Sequence, residues 1–212
     1  VPKNVSSATI EADYGADMHL PGYKVPGEGD PTRVEEAARM LENARRPVLL
    51  VGHGAVISGA EKAITYLAEK MQIPVTNTLL GKGCFPESHE LSLGMLGMHG
   101  TAYANMAVKD CDLIMSIGSR WDDRIVGKTD EFCRHARKIH IDIDAAEFDK
   151  IVEMDVTIQG DAKLVVEQLT SVAERGDTKE WLSQIQKWKK LYPMKFKKGG
   201  KLRAEHAIDE IY

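Results

Sequence analysis

Small and charged residues that could bind an anionic ligand follow each predicted strand of this chain. Glycine lets a phosphate group come close to backbone N–H groups at a helix N-terminus, where the helix dipole also favours an anion. In an open parallel sheet, such groups meet outside the carboxyl ends of the strands. The pattern predicts a site for a nucleotide-like ligand, formed by Gly52-His53-Gly54, Thr78-Leu79-Leu80-Gly81, Gly118-Ser119-Arg120, Asp142-Ile143-Asp144 and Gly160-Asp161-Ala162.

The first of these segments differs from the common dinucleotide-binding motif. Its glycines Gly52, Gly54 and Gly59 have the spacing GxGxxxxG instead of GxGxxG. That motif also needs an acidic residue about twenty positions later to bind a ribose, and none occurs from Gln72 to Asn77. The spacing argues against a standard NAD site, and these glycines could serve only as helix caps and tight turns.

Residues 118–124 carry two arginines and two aspartates directly after a predicted buried strand. These charged side chains could pair only with each other, which is common on protein surfaces. Alternatively, the planar guanidinium group of Arg120 could hold a pyrophosphate or the edge of a flavin ring. The residue types alone leave both interpretations open.

His99 precedes a predicted helix whose N-terminus should face the same crevice. It could act as a general base, but a lone histidine is more often a packing or hydrogen-bonding residue, and no serine or cysteine is arranged with it as a triad. Cys133, His135 and His140 do not have the spacing of a usual zinc site. We therefore predict no metal site and assign no catalysis to His99.

Short apolar strands alternate with amphipathic helices over residues 32–176. Such alternation is typical of a parallel sheet covered on both faces and joined by right-handed crossovers. Thr32 and Glu35 could form a capping box at the start of the first helix. The predicted fold class is doubly wound, Rossmann-like α/β with helices on both faces. Its strands are 48–51, 75–77, 113–117, 138–143 and 156–158, and its helices begin near residues 32, 60, 101 and 162.

The two ends of the chain differ from this pattern. Residues 1–31 hold four prolines and four glycines, which resist regular structure, and are interpreted as a linker. Residues 177–212 are interpreted as a connector that contains a helical stripe ending at Pro193. Between residues 187 and 203 the connector carries eight basic and no acidic side chains. Such a run is more often a solvated helix than a nucleic-acid site, and we predict no nucleic-acid partner.

The composition is that of an ordinary globular protein, with 212 residues, 43% hydrophobic content and a net charge of −4. No apolar run approaches the roughly 18 residues that a membrane span needs. The three cysteines form no CxxC pair, so neither a disulfide framework nor a zinc knuckle is indicated. These features, and the lack of a signal-peptide pattern, predict a cytoplasmic protein without a membrane partner.

Residues 46–162 contain the segments RPVLLVGHG, TNTLLGKG, LGMLGMHGTAYAN, CDLIMSIGSRWDDR, KIHIDID and IQGDA in this order. Together they resemble the central domain of the acetolactate synthase (acetohydroxyacid synthase) family. The segment MLGMHG followed by GSRWDDR is similar to the FAD-containing biosynthetic branch. By this resemblance, residues 1–31 are a linker from a preceding pyrimidine-binding domain, and residues 32–176 form a central FAD-binding domain. Residues 177–212 are a connector towards a pyrophosphate-binding domain.

The resemblance implies an enzyme that condenses two pyruvates, or pyruvate and 2-oxobutyrate, using thiamine diphosphate, Mg²⁺ and FAD. It also implies a homo-oligomer that a regulatory subunit can join. The family's catalytic glutamate and metal motif belong to the other two domains, so no catalytic residue is expected here and the chain should be inactive alone. The FAD contacts implied are Gly52, His53, Gly54, Thr78, Leu79, Met98, His99, Gly100, Gly118, Ser119, Arg120, Asp122, Arg124, Asp142, Ile143, Gly160, Asp161 and Ala162. Those implied for the substrate channel are Met98, Asp123 and Arg124.

One position departs from the family pattern, since His53 stands between two glycines where relatives often have a small residue. Two functions remain open. The domain either binds FAD as a largely structural cofactor of a carboligase, or serves packing and assembly in a related flavin-free thiamine-diphosphate decarboxylase or oxidase. A visible spectrum separates them, because bound flavin is yellow.

Overall fold

The computed structural model describes residues 2–11, 15, 25–196, 199 and 201–211. Its strands are β1 Pro47–Val51, β2 Val75–Asn77, β3 Ser92–Met95, β4 Leu113–Ile117, β5 Arg137–Asp142 and β6 Val156–Gln159. Its helices are α1 Lys3–Ser6, α2 Pro31–Asn43, α3 His53–Ile57, α4 Glu61–Met71, α5 Ala102–Asp110, α6 Asp123–Val126, α7 Ala162–Val172, α8 Lys179–Leu191 and α9 Ala204–Ile211, with a 3₁₀ turn at Ala145–Glu147. Within the described residues, no helix combines the length and apolar character that crossing a bilayer requires.

The six strands form one parallel sheet in the order β3-β2-β1-β4-β5-β6. The chain runs outward from β1 to β3 and then returns to the other side of β1 with β4, so the direction of winding reverses between β1 and β4. This arrangement confirms the predicted doubly wound α/β class. A ligand is expected where the winding reverses, outside the carboxyl ends of the strands.

Each face of the sheet is covered by its own layer of helices. Strand β1 supplies side chains to both layers, because successive residues of a strand point to opposite faces. Leu49 and Val51 pack in the layer of α2, α4 and α7, while Val48 and Leu50 pack in the layer of α5 and α8. All five β1 residues are buried, as a strand covered on both faces requires.

The first helix after the linker begins one residue earlier than the sequence predicted. Pro31 occupies the first turn, and the Asp30 side chain accepts hydrogen bonds from the N–H groups of Thr32 (2.8 Å) and Arg33 (3.4 Å). The predicted Thr32–Glu35 capping box is therefore wrong. Asp30 satisfies two of the free N–H groups at the start of the helix, and Pro31, which has no N–H group, leaves none unsatisfied at the first position.

The sequence analysis also missed strand β3. Its four residues include Gly94 with a φ of +69°, and the register of its pairing with β2 shifts between Val75 and Asn77. So short and irregular a strand has no clear apolar alternation, and only its pairing with β2 reveals it.

Helix α8 packs firmly on the sheet, although its sequence was interpreted as part of a connector. Trp181 and Ile185 are buried in the same layer as α5. The indole Nε1 of Trp181 donates a hydrogen bond to the Pro47 carbonyl at the start of β1, at 3.1 Å. The division of the chain at residues 31 and 176 stays a prediction, and much of the 1–31 segment lies outside the described residues.

Candidate functional site

A cavity of about 610 Å³ lies at the carboxyl edge of the sheet, where the winding reverses. Pockets of this size are typical of small-molecule and cofactor sites. Twelve of the predicted site residues line it: His53, Gly54, Thr78, Leu79, Met98, His99, Gly118, Ser119, Arg120, Asp122, Arg124 and Asp142. The strand-end rule therefore located the cavity, because parallel strands bring all their carboxyl ends to one edge.

The floor of the cavity is made of loops whose backbones touch. Gly54 N–H donates to the Gly118 carbonyl at 3.0 Å, and Gly52 N–H donates to the Ile117 carbonyl at 2.9 Å. A Cβ atom on Gly52 would lie 2.1 Å from the Gly118 oxygen, and Gly118 itself has a φ of +64°. These N–H groups already donate hydrogen bonds to carbonyl groups of the protein, so the glycines hold the β1 and β4 loops together. Their contact with a cofactor stays a prediction.

The charged side chains of the segment after β4 pair with each other only in part. Arg124 Nε lies 3.8 Å from Asp123 Oδ1, both side chains being largely exposed, and Asp122 Oδ1 accepts the N–H of Arg124 at 3.1 Å as the cap of α6. Arg120 makes no hydrogen bond or ion pair with any part of the chain that the structure describes. The cavity wall thus carries a guanidinium group that is available to an anion.

The buried side chain of Asp142 lies at the end of β5. Burial by itself raises the pKa of this carboxyl, but the His140 ring and the N–H groups of Asp144 and Ile143 stabilise the carboxylate more, so its pKa lies below the usual value. Asp144 N donates to Asp142 Oδ1 at 2.9 Å, and His140 Nε2 is 3.6 Å from Oδ2. A fixed carboxylate at this place can accept hydrogen bonds from ligand hydroxyl groups.

His140 sits behind Asp142 and is fully buried. Its ring packs edge-on against Trp121 and Phe148, with centroids 5.9 and 5.2 Å away. Neither of its ring nitrogens, nor Trp121 Nε1, has a hydrogen-bond partner among the described residues. The ring therefore supports Asp142 by packing and by its charge distribution, and it does not reach the cavity surface.

Two of the residues predicted for a substrate channel are in direct contact in the cavity wall. Met98 N–H donates to the Arg124 carbonyl at 3.4 Å, and a Cβ atom on Gly97 would lie 2.5 Å from that same oxygen. Met98 is 72% exposed, so its side chain is free to contact a ligand. His99 also lines the cavity, but no hydrogen bond joins it to a described serine or cysteine side chain.

Several predicted contacts do not line the cavity. Asp161 caps α7 through Leu164 N–H (3.2 Å) and accepts the Ser58 hydroxyl at 2.8 Å. Gly160 lies under residues 25–30, since Gly27 O accepts the N–H of Asp161 at 2.7 Å. Outside the lining are Gly52, Gly100, Asp123, Ile143, Gly160, Asp161 and Ala162.

Sequence reasoning missed part of the cavity wall, namely Ile57, Met95, Leu96, Ile125 and Glu147. Four of these are apolar and come from three different segments. Ile57 and the predicted Leu80 are 77% and 63% exposed, although they are large aliphatic side chains. Exposed aliphatic residues beside a cavity mark a surface for an apolar ring, but only a known edge of the sheet would have drawn attention to them.

Comparison with known proteins gives one family and a consistent set of relatives. The family described as thiamine pyrophosphate enzyme, central domain, matches residues 34–169. An acetolactate synthase large subunit of Cyanidium caldarium is 46% identical over 187 residues, which cover 84% of this chain and 32% of that protein. Proteins of the same name from Parasynechococcus marenigrum (45% identity, 82% of this chain and 30% of that protein) and Corynebacterium glutamicum (40%, 91% and 32%) are also similar. The chain spans about a third of the length of these relatives.

Proposed function

Because the chain belongs to the family of thiamine pyrophosphate enzyme central domains, we propose that it is the FAD-binding central domain of an acetolactate synthase large subunit. In this proposal, the whole enzyme condenses two pyruvates, or pyruvate and 2-oxobutyrate, with thiamine diphosphate and Mg²⁺ bound by its other domains. The observation that carries the FAD assignment is Arg120, which has no partner among the described residues and lines a cavity at the point where the winding reverses.

The cavity residues suit the chemical parts of FAD. Arg120 would hold the diphosphate or the anionic or carbonyl edge of the flavin, because a guanidinium group forms paired hydrogen bonds with such oxygens. Asp142 would accept hydrogen bonds from hydroxyl groups. The apolar side chains of Ile57, Leu79 and Leu80 would cover a ring. These three kinds of surface, around about 610 Å³, match a ligand that is part anion, part polyol and part aromatic.

Bound FAD supplies a redox-active ring, yet the proposed condensation needs no net oxidation, so the cofactor contributes structure here. Met98, Asp123 and Arg124 would border the path of the keto acid. Their support is the contact between Met98 and Arg124, and the exposure of the Arg124 and Asp123 side chains (76% and 84%).

The test is the visible spectrum of the purified chain after incubation with FAD and removal of free flavin by gel filtration. We expect a yellow protein with the absorption of bound flavin. Riboflavin, which lacks the diphosphate and adenosine, should bind much more weakly because it offers no phosphate oxygens to Arg120 and covers less of the cavity. A colourless protein at saturating FAD would instead support the flavin-free assembly domain.

A further inference from the structure

Two of the three cysteines meet at the end of α5, in the helix layer that contains α8. Cys111 directly follows this helix, and Cys133 lies in the segment between α6 and β5. The thiol of Cys111 donates to the Val108 carbonyl at 3.0 Å, and the thiol of Cys133 donates to the same oxygen at 3.2 Å. Both side chains are buried in one apolar cluster. Two thiols distant in sequence therefore share one acceptor.

The carbonyl that they share is one of the last in α5, where backbone oxygens have no partner within the helix. Contact with the Cys133 thiol, and then burial, raise the pKa of Cys111 well above its ordinary value. Cys133 also has a φ of +46°, a conformation that is costly for a residue with a Cβ atom. The surrounding structure holds this backbone in place and directs the thiol towards Cys111.

We propose that Cys111 and Cys133 are a site of reversible oxidation that forms an internal disulfide with a two-electron oxidant of the peroxide class. The two S–H bonds and the peroxide O–O bond break, one S–S bond forms, and the peroxide takes up two electrons and two protons to become two waters. Oxidation removes both thiol donors from the Val108 oxygen. The reduced form regains these hydrogen bonds, so a dithiol reductant should reopen the disulfide.

The disulfide would make a covalently closed loop of residues 111–133, part of which lines the candidate site. Residues between Cys111 and Cys133 include β4, Arg120 and Arg124, all on one loop of chain. Closing such a loop restricts its unfolded conformations. In the folded chain, oxidation would join the segment that follows the cavity wall, at Cys133, to the end of α5, at Cys111. This inference does not depend on which ligand the cavity holds.

Cys84 is a natural internal control. It is buried in the opposite layer, with α2, α4 and α7, so the sheet separates it from the pair. Burial, and secondly the charge of Glu61, raise the pKa of its thiol to about 12. No second thiol lies in that layer, so Cys84 has no partner for an internal disulfide and we expect it to stay reduced.

The experiment treats the native chain with hydrogen peroxide, then blocks remaining thiols in denaturant and determines the intact mass and the tryptic peptides without reduction. We expect the three free thiols to fall to one, with peptide 110–120 joined to peptide 129–134. The rate should rise in alkaline buffer, because a thiolate starts the reaction and the pKa of Cys111 is raised.

Variants decide between this pair and any other. Cys84→Ala should form the same linked peptides, whereas Cys111→Ser and Cys133→Ser should each form none. Circular dichroism before oxidation checks that every variant is folded. A link through Cys84, dimers joined by disulfides, or sulfinic acid without an internal link in the wild-type chain would each overturn the proposal.

Discussion

At the scale of single residues, the site is distinguished by Arg120, a cation that has no ion pair or hydrogen bond within the part of the chain that the structure describes. Most surface ion pairs contribute little, and Arg124 with Asp123 is of that kind, since both side chains are largely exposed. Arg120 differs because no described residue neutralises it, although it follows a buried strand and lines the cavity. The guanidinium group of Arg120 can therefore bind a ligand anion without first breaking a contact with a described residue.

Replacing this guanidinium group tests the assignment directly. We expect Arg120→Ala to weaken FAD binding about ten- to more than a hundredfold, since a charge-assisted hydrogen bond contributes roughly 1.5 to 3 kcal/mol. Arg46→Ala and Arg137→Ala are the matched controls, because these arginines lie at the amino ends of β1 and β5, at the opposite edge of the sheet. Flavin titration at equal folded content measures all three. Equal affinities would show that Arg120 does not bind the flavin.

The carboxylate of Asp142 predicts a dependence of stability on pH. Its folded-state pKa is lowered, so the stabilisation is present above the unfolded value of about 3.8 and is lost as the pH falls through the folded value. Asp142→Asn should lower the unfolding temperature at neutral pH, and the difference from wild type should shrink in acid.

Thermal unfolding followed by circular dichroism across this pH range measures that difference. Asp130→Asn is the control, because the exposed Asp130 side chain makes no hydrogen bond with the described residues. A difference between wild type and Asp142→Asn that stays constant down to acid pH would contradict the prediction.

At the scale of elements, a few polar contacts determine how helices meet the sheet edge. Ser58 follows α3, donates to Asp161 Oδ1 at 2.8 Å and accepts the N–H of Lys163 at 2.8 Å. Asp161 in turn caps α7. One serine and one aspartate therefore tie α3, which borders the cavity, to the start of α7.

Removing the cap should destabilise the fold by a predictable amount. Asp161→Ala should lower the free energy of unfolding by about 1 to 2 kcal/mol, the usual effect of losing a helix N-cap. Asp161→Asn should lose much less, because asparagine caps helices equally well. Urea unfolding measures both changes. If both substitutions destabilise the chain equally, the charge of Asp161 matters and its capping oxygen does not.

At the scale of the whole molecule, one sheet and two helix layers form a frame. The segments at the carboxyl ends of five of its strands line one cavity. The chain corresponds to about a third of its acetolactate synthase relatives. The frame folds around its own two apolar clusters, one on each face of the sheet. We therefore expect it to bind a cofactor at its edge while the chemistry depends on other domains.

Saturating FAD should stabilise this frame. A ligand that binds only the folded state contributes about 2.7 kcal/mol at a hundredfold excess over its dissociation constant, which for a chain of this size is roughly 5 to 10 °C in the unfolding temperature. Thermal unfolding with increasing FAD measures the shift. The same FAD concentration should shift Arg120→Ala less, and an unchanged wild-type midpoint at saturation would contradict FAD binding.

The chain by itself should form no acetolactate from pyruvate, thiamine diphosphate and Mg²⁺. The resemblance places the glutamate that activates the thiazolium in another domain, and the sequence contains no GDG metal motif. A colorimetric acetolactate assay tests this, with a complete acetolactate synthase as the positive control. Product above the level without protein would overturn it.

Apolar spacing in the sequence was sufficient to predict the fold class, five of the six strands and the edge where the cavity lies. Those features depend on local periodicity and on a general property of parallel sheets. The sequence could not predict β3, whose pairing defines it. The Asp30 cap, in contrast, is a local signal, an aspartate directly before Pro31, which the Thr32–Glu35 prediction overlooked. The sequence also could not show that the Gly54 N–H group donates to the Gly118 carbonyl, or that the Met98 N–H group donates to the Arg124 carbonyl. Nor could it show that Arg120 has no partner among the described residues. These depend on which distant segments come into contact, and only the tertiary structure decides that.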